Sequence, residues 1–472
     1  MNMSNYKSLL KDTVIFAVGS LGSKVILFLL VPLYTNYLSS AEYGTAELIT
    51  TIASLFIPIL CLAINTAEIR YGLMKNVKAE NVAVASFFVL ILSALLTLML
   101  VPMTSLYPSL YQWRWYLAFY IVVSSFAEVE RTYLKVKGKN KLFAIIGISK
   151  TAVLALANIL LLVVAQMRVE GYLLAIIFSY IFEIIITYIA SGLYLDLPHG
   201  TLDVSLLRRM IGYSAPLILS SISWWLIHSS DKIMLDLMIG SSMLGIYTAA
   251  TKIPSLINVF NGFFNQAWAI FSFKEVDSNN NSRVFSTTFG MFCTFLTGLC
   301  LMILSFVKPF MSAYVGKEFQ EAWLYTPFLL VSAVLAAFSA ILSTVYSALE
   351  KTRAEMWTTL LCALINIAVN FVGIKRFGIW GAVAGTFAAY FVCSSIRLVD
   401  INRRIRICND YGAYIVNVVL LVTQAAAVSF QWHVLVVSSF VFIIFVLVNR
   451  KILQKGVKRL LAYLKRSRTD YP

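Results

Sequence analysis

The sequence predicts an all-α, polytopic membrane protein of about fourteen transmembrane helices. Three observations lead there. Apolar stretches of about twenty residues recur from Thr13 to Asn449, divided by short polar joints, and such a stretch matches the thickness of a bilayer core at a helical rise of about 1.5 Å per residue. Hydrophobic residues make up 60% of the chain and charged residues 13%, about half the charge of a soluble protein. Basic residues gather on alternate joints, the signature of cytoplasmic loops.

In chain order, spans one and two cover Thr13–Tyr37 and Thr45–Ala67, joined by Leu38-Ser39-Ser40-Ala41-Glu42-Tyr43-Gly44. Spans three and four, Val82–Met103 and Trp115–Tyr133, meet at an outer joint anchored by Tyr111, Trp113 and Trp115. Spans five and six are Leu142–Ala165 and Gly171–Leu195, and seven and eight are Met210–Ser230 and Met243–Phe273. Spans nine and ten, Val284–Val307 and Trp323–Leu349, flank the longest outer joint, fifteen residues from Lys308 to Ala322. Ala354–Ile374, Gly378–Val399, Tyr411–Phe430 and Trp432–Asn449 complete the series. With the N-terminus taken as cytoplasmic, 28 Lys and Arg fall on the cytoplasmic side and seven on the other, while Lys24, Lys150 and Lys252 lie inside spans. Both termini are therefore expected in the cytoplasm. The first apolar segment is too long for a cleavable signal peptide and reads as a span.

An internal repeat divides the chain. The first joint is echoed by Ile239-Gly240-Ser241-Ser242-Met243-Leu244-Gly245, about 200 residues on. Tyr133 and Asn158 are echoed by Tyr346 and Asn370 at offsets of 213 and 212. The Arg168/Gly171 start of span six is echoed at Arg376/Gly378. Equivalent spans keep the same orientation, so the repeat is parallel. It predicts two pseudo-symmetric six-helix bundles, residues 1–200 and 201–400, followed by two further helices and a basic cytoplasmic tail in 401–472.

Several function classes drop out. The net charge of +16 is accounted for by membrane topology, so no nucleic-acid partner is expected. The tail from Arg450 to Arg468 reads as a solvated end that holds the last helix in place. Six cysteines lie without CxxC spacing, five of them in apolar segments, and read as small buried residues. No metal site, cofactor or catalytic residue is expected. Gly19-Ser20-Leu21-Gly22-Ser23-Lys24 lies inside a span with the wrong spacing for a phosphate loop; its small residues suit close helix approach.

What remains is charge at depth, costly in lipid and therefore turned toward a cavity or a partner. Lys24 is eleven residues into span one, about 16 Å down and near the midplane. Lys252 lies nine residues into span eight, just before Pro254, which opens the backbone. Lys150 in span five is placed to reach the cytoplasmic interface with its stem. Arg70 ends span two at the inner interface, placed for an anionic headgroup. Glu183 is near midplane in span six and reads either as a protonated or paired carboxylate or as a functional one, whose protonation would compete with pairing to Lys24. Glu128 and Arg131, three apart, read as a local pair, and Asp231 with Lys232 as the capped end of span seven. Trp224 and Trp225 read as core or lipid contacts. Lys24, Lys252, Arg70 and Lys150 are the candidate substrate cations, Glu183 and Asp231 the candidate ion-coupling carboxylates. A mostly cationic set implies an anionic substrate too polar to cross lipid; an exporter of cationic drugs would favour carboxylates.

Span one and its joint read KDTVIFAVGSLGSKVILFLLVPLYTNYLSSAEYGTAEL (Lys11–Leu48). Spans seven and eight read SDKIMLDLMIGSSMLGIYTAATKIP (Ser230–Pro254), followed by FNQAW (Phe264–Trp268). Spans four and ten end in YLKVKGKNK (Tyr133–Lys141) and YSALEKTR (Tyr346–Arg353). Over about residues 7–400 the chain resembles the Wzx-type polysaccharide flippases of the MOP transporter superfamily, which also holds the MATE exporters and the lipid II flippase. The resemblance implies two lobes around a central cavity and alternating access. It implies transfer of undecaprenyl-pyrophosphate-linked oligosaccharide repeat units from the cytoplasmic to the periplasmic leaflet of the inner membrane, for surface polysaccharide such as O-antigen. It also implies ion coupling, and as partners membrane lipids, a polysaccharide polymerase and a chain-length regulator. The lipid II flippase uses span-one and span-eight cations near the pyrophosphate; Lys24 and Lys252 match those helices, with Lys where that relative has Arg. The alternatives are a MATE-like small-molecule antiporter and a polytopic glycosyltransferase or polymerase. The second would need a substantial outer loop, and fifteen residues is short for one.

Overall fold

A computed structural model describes residues 21–74, 76–275, 281–407 and 411–469. The start of span one before Leu21, Lys75, Cys408 and the tail side chains beyond Gln454 lie outside the described residues. No strand occurs among the described residues. The helices are α1 (Leu21–Tyr37), α2 (Ser40–Leu60), α3 (Ile64–Gly72), α4 (Ala79–Leu100), α5 (Pro108–Tyr111), α6 (Arg114–Val136), α7 (Asn140–Asn158), α8 (Arg168–Ser191), α9 (Leu193–His199), α10 (Val204–Ile239), α11 (Ser241–Ala250), α12 (Lys252–Glu275), α13 (Asn281–Tyr314), α14 (Ala322–Ala348), α15 (Thr352–Phe377), α16 (Ile379–Arg404), α17 (Tyr411–Ser429) and α18 (Val434–Thr469).

Eleven helices are long and apolar enough to cross a membrane. Three further ones bring the set to the expected fourteen: α1, of which Leu21–Tyr37 is described; α6, rich in charge near its end; and α11 with α12, one span broken at Thr251. The break stands three residues before Pro254, where the prolyl ring fits the first turn of a helix but not its interior. A second break separates α2 from α3. There Leu62 and Ala63 take φ of 53° and 48°, a left-handed conformation that costs non-glycine residues about 1–3 kcal/mol each. Pro58 lies in the preceding turn, and its carbonyl accepts the Ala63 amide at 2.9 Å.

Helix starts follow their capping residues. The Ser39 hydroxyl accepts the Glu42 amide at 3.3 Å, and the Glu42 carboxylate accepts the Ser39 amide at 2.8 Å, a reciprocal capping box for α2. Asp203 caps α10 by accepting the Ser205 and Leu206 amides.

The chain forms two compact units, Met1–Gly245 and Ile246–Pro472. In the first, Ala67 of α3, Val82, Ala85 and Val89 of α4, Val129 of α6 and Met210 of α10 form one apolar cluster. In the second, α14 is the central helix, buried along most of its length and packed by α12, α13, α16 and α17. The last two spans join that unit through a buried amide network. Asn449 donates to Asn417 at 2.8 Å and accepts from the Thr294 hydroxyl at 3.0 Å.

The repeat seen in the sequence has structural counterparts within each unit. The Tyr133 hydroxyl donates to Asp196 at 2.8 Å, and the Tyr346 hydroxyl donates to Asp400 at 2.9 Å. The turns that follow carry a left-handed residue, Gly138 (φ 68°) and Glu350 (φ 57°). Asn158 and Asn370 are both fully buried. In the first unit the two repeated joints pack on each other. A Cβ on Gly44 would lie 1.8 Å from the Ser241 carbonyl oxygen, and one on Gly245 would lie 2.0 Å from that of Ser40. The Ser40 and Ser242 hydroxyls bond at 2.7 Å across the same crossing.

Candidate functional site

The polar centre of the first unit is built by four helices. Glu183 on α8 is 1% exposed. Lys150 on α7 reaches one of its oxygens at 2.9 Å, and Arg131 on α6 forms an ion pair with the other at 3.3 Å. The Lys150 ammonium lies 3.2 Å from the centre of the Tyr180 ring, one turn before Glu183, and an aromatic face adds to the attraction for a desolvated cation. Glu128 accepts a hydrogen bond from the Asn65 amide of α3 at 2.6 Å. Removing one partner of such a buried pair typically costs about 3–5 kcal/mol, because the other charge is left uncompensated.

This arrangement departs from the single-helix reading. Arg131 pairs across to α8 rather than with Glu128, and Lys150 turns inward to Glu183 rather than out to the interface. Glu183 has these two cations and not Lys24 as its ion partners. In the second unit Arg397 also turns inward. It is 5% exposed and donates to the Ser339 carbonyl and hydroxyl and to the Thr358 and Thr359 hydroxyls. Two of the basic residues assigned to the cytoplasmic side thus belong to helix interiors, without reversing the asymmetry.

Lys24 is different. It is exposed on α1 and has no hydrogen bond or ion pair among the described residues. Its neighbour Ser23 donates to the Gly147 carbonyl at 3.2 Å, which sets Lys24 beside α7, one helical turn from Lys150. Arg70 is exposed, with its guanidinium stacked 4.5 Å over the Tyr213 ring. Lys252, in the second unit, is the first residue of α12 at the Thr251 break.

Asp231 does not close a helix, because α10 runs on to Ile239. The next residue, Lys232, crosses to Glu47 of α2 at 3.1 Å. Asp236, one turn on, accepts the Tyr107 hydroxyl at 2.7 Å and the Ser241 hydroxyl at 2.5 Å. Trp225 donates its indole N–H to the Thr51 carbonyl and the Ser54 hydroxyl, both at 3.0 Å. Trp224 is exposed and stacks on His228, with ring centres 5.6 Å apart.

Sequence reasoning misses a second acidic group. Glu68 on α3 and Glu130 on α6 are 1% and 2% exposed, and each has a buried carboxylate oxygen with no hydrogen bond among the described residues. Glu68 lies at the end of span two and Glu130 between Glu128 and Arg131, and nothing along the sequence shows that two different helices bring them together. At the end of α6 Lys137 meets Asp196 of α9 at 2.7 Å. Burial pushes the Asp196 carboxyl up, but hydrogen bonds from Lys137 and Tyr133 outweigh it and hold the group below the usual carboxylate range. Among the described residues no three His, Cys, Asp or Glu side chains are grouped to hold a metal ion. The five described cysteines are buried and form no disulfide among the described residues.

Comparisons with known proteins fit this architecture. A family model described as polysaccharide biosynthesis protein matches residues 9–271, and the MatE model matches residues 216–372. The Lsg locus putative protein 1 of Haemophilus influenzae is 23% identical over 406 residues, covering 82% of this chain and 98% of its own. An uncharacterized membrane protein of the same organism is 24% identical over 280 residues, covering 57% and 66%. Among solved structures, the lipid II flippase MurJ in an inward closed conformation aligns with a TM-score of 0.67 at 11% identity, over 93% of this chain and 100% of its own. An inward-facing multidrug resistance MATE family transporter of the MOP superfamily aligns at 0.64 and 14% identity, over 82% and 99%. At such identities these structures speak for the fold, whereas the family model covers more than half of the chain: the protein belongs to the polysaccharide biosynthesis protein family.

Proposed function

We propose that this membrane transporter flips undecaprenyl-pyrophosphate-linked oligosaccharide repeat units from the cytoplasmic to the periplasmic leaflet of the inner membrane, by alternating access, to supply surface-polysaccharide synthesis. The observation that carries the reading is Lys24. The two cations of the neighbouring cluster are matched by Glu183 and Glu128, whereas Lys24 stands exposed on an apolar helix without a partner among the described residues. A surplus cation in a low-dielectric setting favours an anion strongly, and a pyrophosphate supplies one.

In this scheme Lys24 and Arg70 are the cations of the first unit that meet the pyrophosphate, and Lys252 is the candidate substrate cation of the second. Lys150 joins them when released from Glu183. That exchange gives an ion gradient a point of action: a proton on Glu183 removes the charge that holds both Lys150 and Arg131. Asp231 is the second coupling carboxylate. A proton shifts the conformational equilibrium only through different affinity for the two states, and release of two cations provides such a difference. Membrane lipids surround the protein, and a polysaccharide polymerase with its chain-length regulator would take up the product.

The test is transport of a lipid-linked oligosaccharide in proteoliposomes. Lys24→Ala and Lys252→Ala should each abolish it at normal protein level, with partial rescue by Arg. Glu183→Gln should remove its pH dependence. Wild-type transport by both alanine variants would take these lysines out of the substrate site. The MatE match over residues 216–372 supports a second reading, an ion-coupled small-molecule antiporter. On that reading the alanine variants would keep glycan export and lose protection against a small-molecule toxin.

A further inference from the structure

We propose that Glu68, Glu130 and Ser86 form a buried proton-binding site in the first unit, separate from the Glu183 cluster. Three helices bring the groups together. Glu68 is on α3, Ser86 on α4 and Glu130 on α6, and their sequence neighbours Ala67, Ala85 and Val129 share one apolar cluster. All three side chains are at least 98% buried. Glu68 is close enough to feel the charge of Glu130, and the Ser86 hydroxyl is turned toward Glu68. Yet Oε2 of Glu68, Oε2 of Glu130 and Oγ of Ser86 make no hydrogen bond among the described residues.

Charge balance assigns the missing partner. The groups facing this site from the packed helices are already committed. On α6 and α7, Arg131 and Lys150 hold Glu183 of α8, and Glu128 takes Asn65. Tyr133 of α6 donates to Asp196. On α3 itself Arg70 turns outward onto Tyr213, and Arg208 and Arg209 of α10 are exposed. Glu80, at the start of α4, and Glu183 add only negative charge. Two buried carboxylates are thus left without a cation. An isolated buried ion pays a heavy desolvation cost and is relieved by neutralisation. A proton does this and also supplies a donor that the two ionised carboxylates lack.

The site sits where a proton can act on shape. Glu68 is on the short helix that follows the left-handed Leu62–Ala63 break, so its charge bears on a strained joint of span two. Glu130 is also coupled electrostatically to Glu183, which links loading here to the cation release above. That use rests on the transporter reading; the binding of the proton does not.

The experiment therefore reads the proton without substrate. Full-length protein reconstituted in lipid is followed by infrared difference spectroscopy during pH titration, in sodium-free and in sodium-containing buffer. The wild type should show the carbonyl band of a protonated carboxyl at neutral pH. Glu68→Gln and Glu130→Gln should each lose intensity there, and Ser86→Ala, which keeps both carboxyls, should shift its frequency. The proposal is overturned by a wild type with no such band, by Gln variants that retain it in full, by a Ser86→Ala band at the wild-type frequency, or by a band that sodium abolishes at constant pH, which would mark a metal-cation site. Failed flipping with the band intact, by contrast, would count against the substrate reading alone.

Discussion

The crossing of the two repeated joints makes the sharpest mechanical prediction. In Gly44→Ala the new methyl carbon would start 1.8 Å from the Ser241 carbonyl oxygen and 2.9 Å from the Gly245 amide nitrogen. A carbon–oxygen contact relaxes at about 3.3 Å, so the two helix ends must part by about 1.5 Å. Neither obstacle can swing away, because both are backbone. Overpacking of this kind costs about 1–3 kcal/mol, and parting the ends also loses the Ser40–Ser242 hydrogen bond, worth about 1 kcal/mol. Together these give an expected destabilisation of about 2–4 kcal/mol.

Thermal unfolding in detergent, followed by intrinsic fluorescence, measures it. Gly44→Ala and Gly245→Ala should each melt several degrees below wild type, and the double variant should lose less than the sum, since the first methyl already parts the ends. Gly212→Ala is the control: a Cβ there meets nothing within 4 Å, so its melting point should hold or rise slightly through helix propensity. A Gly44→Ala protein that melts with the wild type would refute the close approach. If transport requires the joints to separate, the same variant should also favour the separated state, read as raised accessibility of a cysteine placed at Ser242.

Two further predictions follow from charge. The depressed Asp196 carboxyl contributes stability that is full above the unfolded value of about 4 and is lost as pH falls through its lower folded value. Asp196→Asn should therefore cost about 1–3 kcal/mol at pH 7, with the gap to wild type closing below about pH 4; a gap that stays constant into acid would exclude the Lys137–Asp196–Tyr133 linkage as its cause. Reporter fusions at Arg404 and at the C-terminus should read cytoplasmic, and one at Lys317 periplasmic; a periplasmic C-terminus would mean that the chain crosses an odd number of times.

The spans are legible in the sequence because the bilayer imposes one length on each of them, and apolar length is a one-dimensional property. The repeat is legible for a related reason. Leu38–Gly44 and Ile239–Gly245 keep glycine at the same place because each glycine admits the other joint's carbonyl. Helix ends are less legible. Span seven reads as closing at Ser230, where Asp231 and Lys232 interrupt the apolar run, but α10 continues to Ile239. The charges do not end the helix because Lys232 finds Glu47 on α2. Thr251 shows the opposite case: Pro254 announces the break, since the effect of proline on its own helix is local.

Charged positions resist sequence reading for the same reason that Lys232 does. An i,i+3 spacing on α6 suggests that Glu128 and Arg131 satisfy each other, yet an exposed helix pair is worth only a few tenths of a kcal/mol, whereas an uncompensated buried charge costs several. At depth the desolvation cost decides, and Arg131 crosses to Glu183 while Glu128 takes a neutral amide. Depth along a helix therefore locates a charge but does not name its partner. The balance has to be struck over the bundle. Struck that way, Arg131 and Lys150 offset Glu183 and Glu128, which leaves Lys24 exposed beside them and Glu68 with Glu130 buried as an acidic pair. The first is the feature that calls for an anionic substrate, the second the feature that calls for a proton. Both surpluses arise from residues that the sequence displays openly and that only the packing of α3, α4, α6, α7 and α8 separates from their structural neighbours.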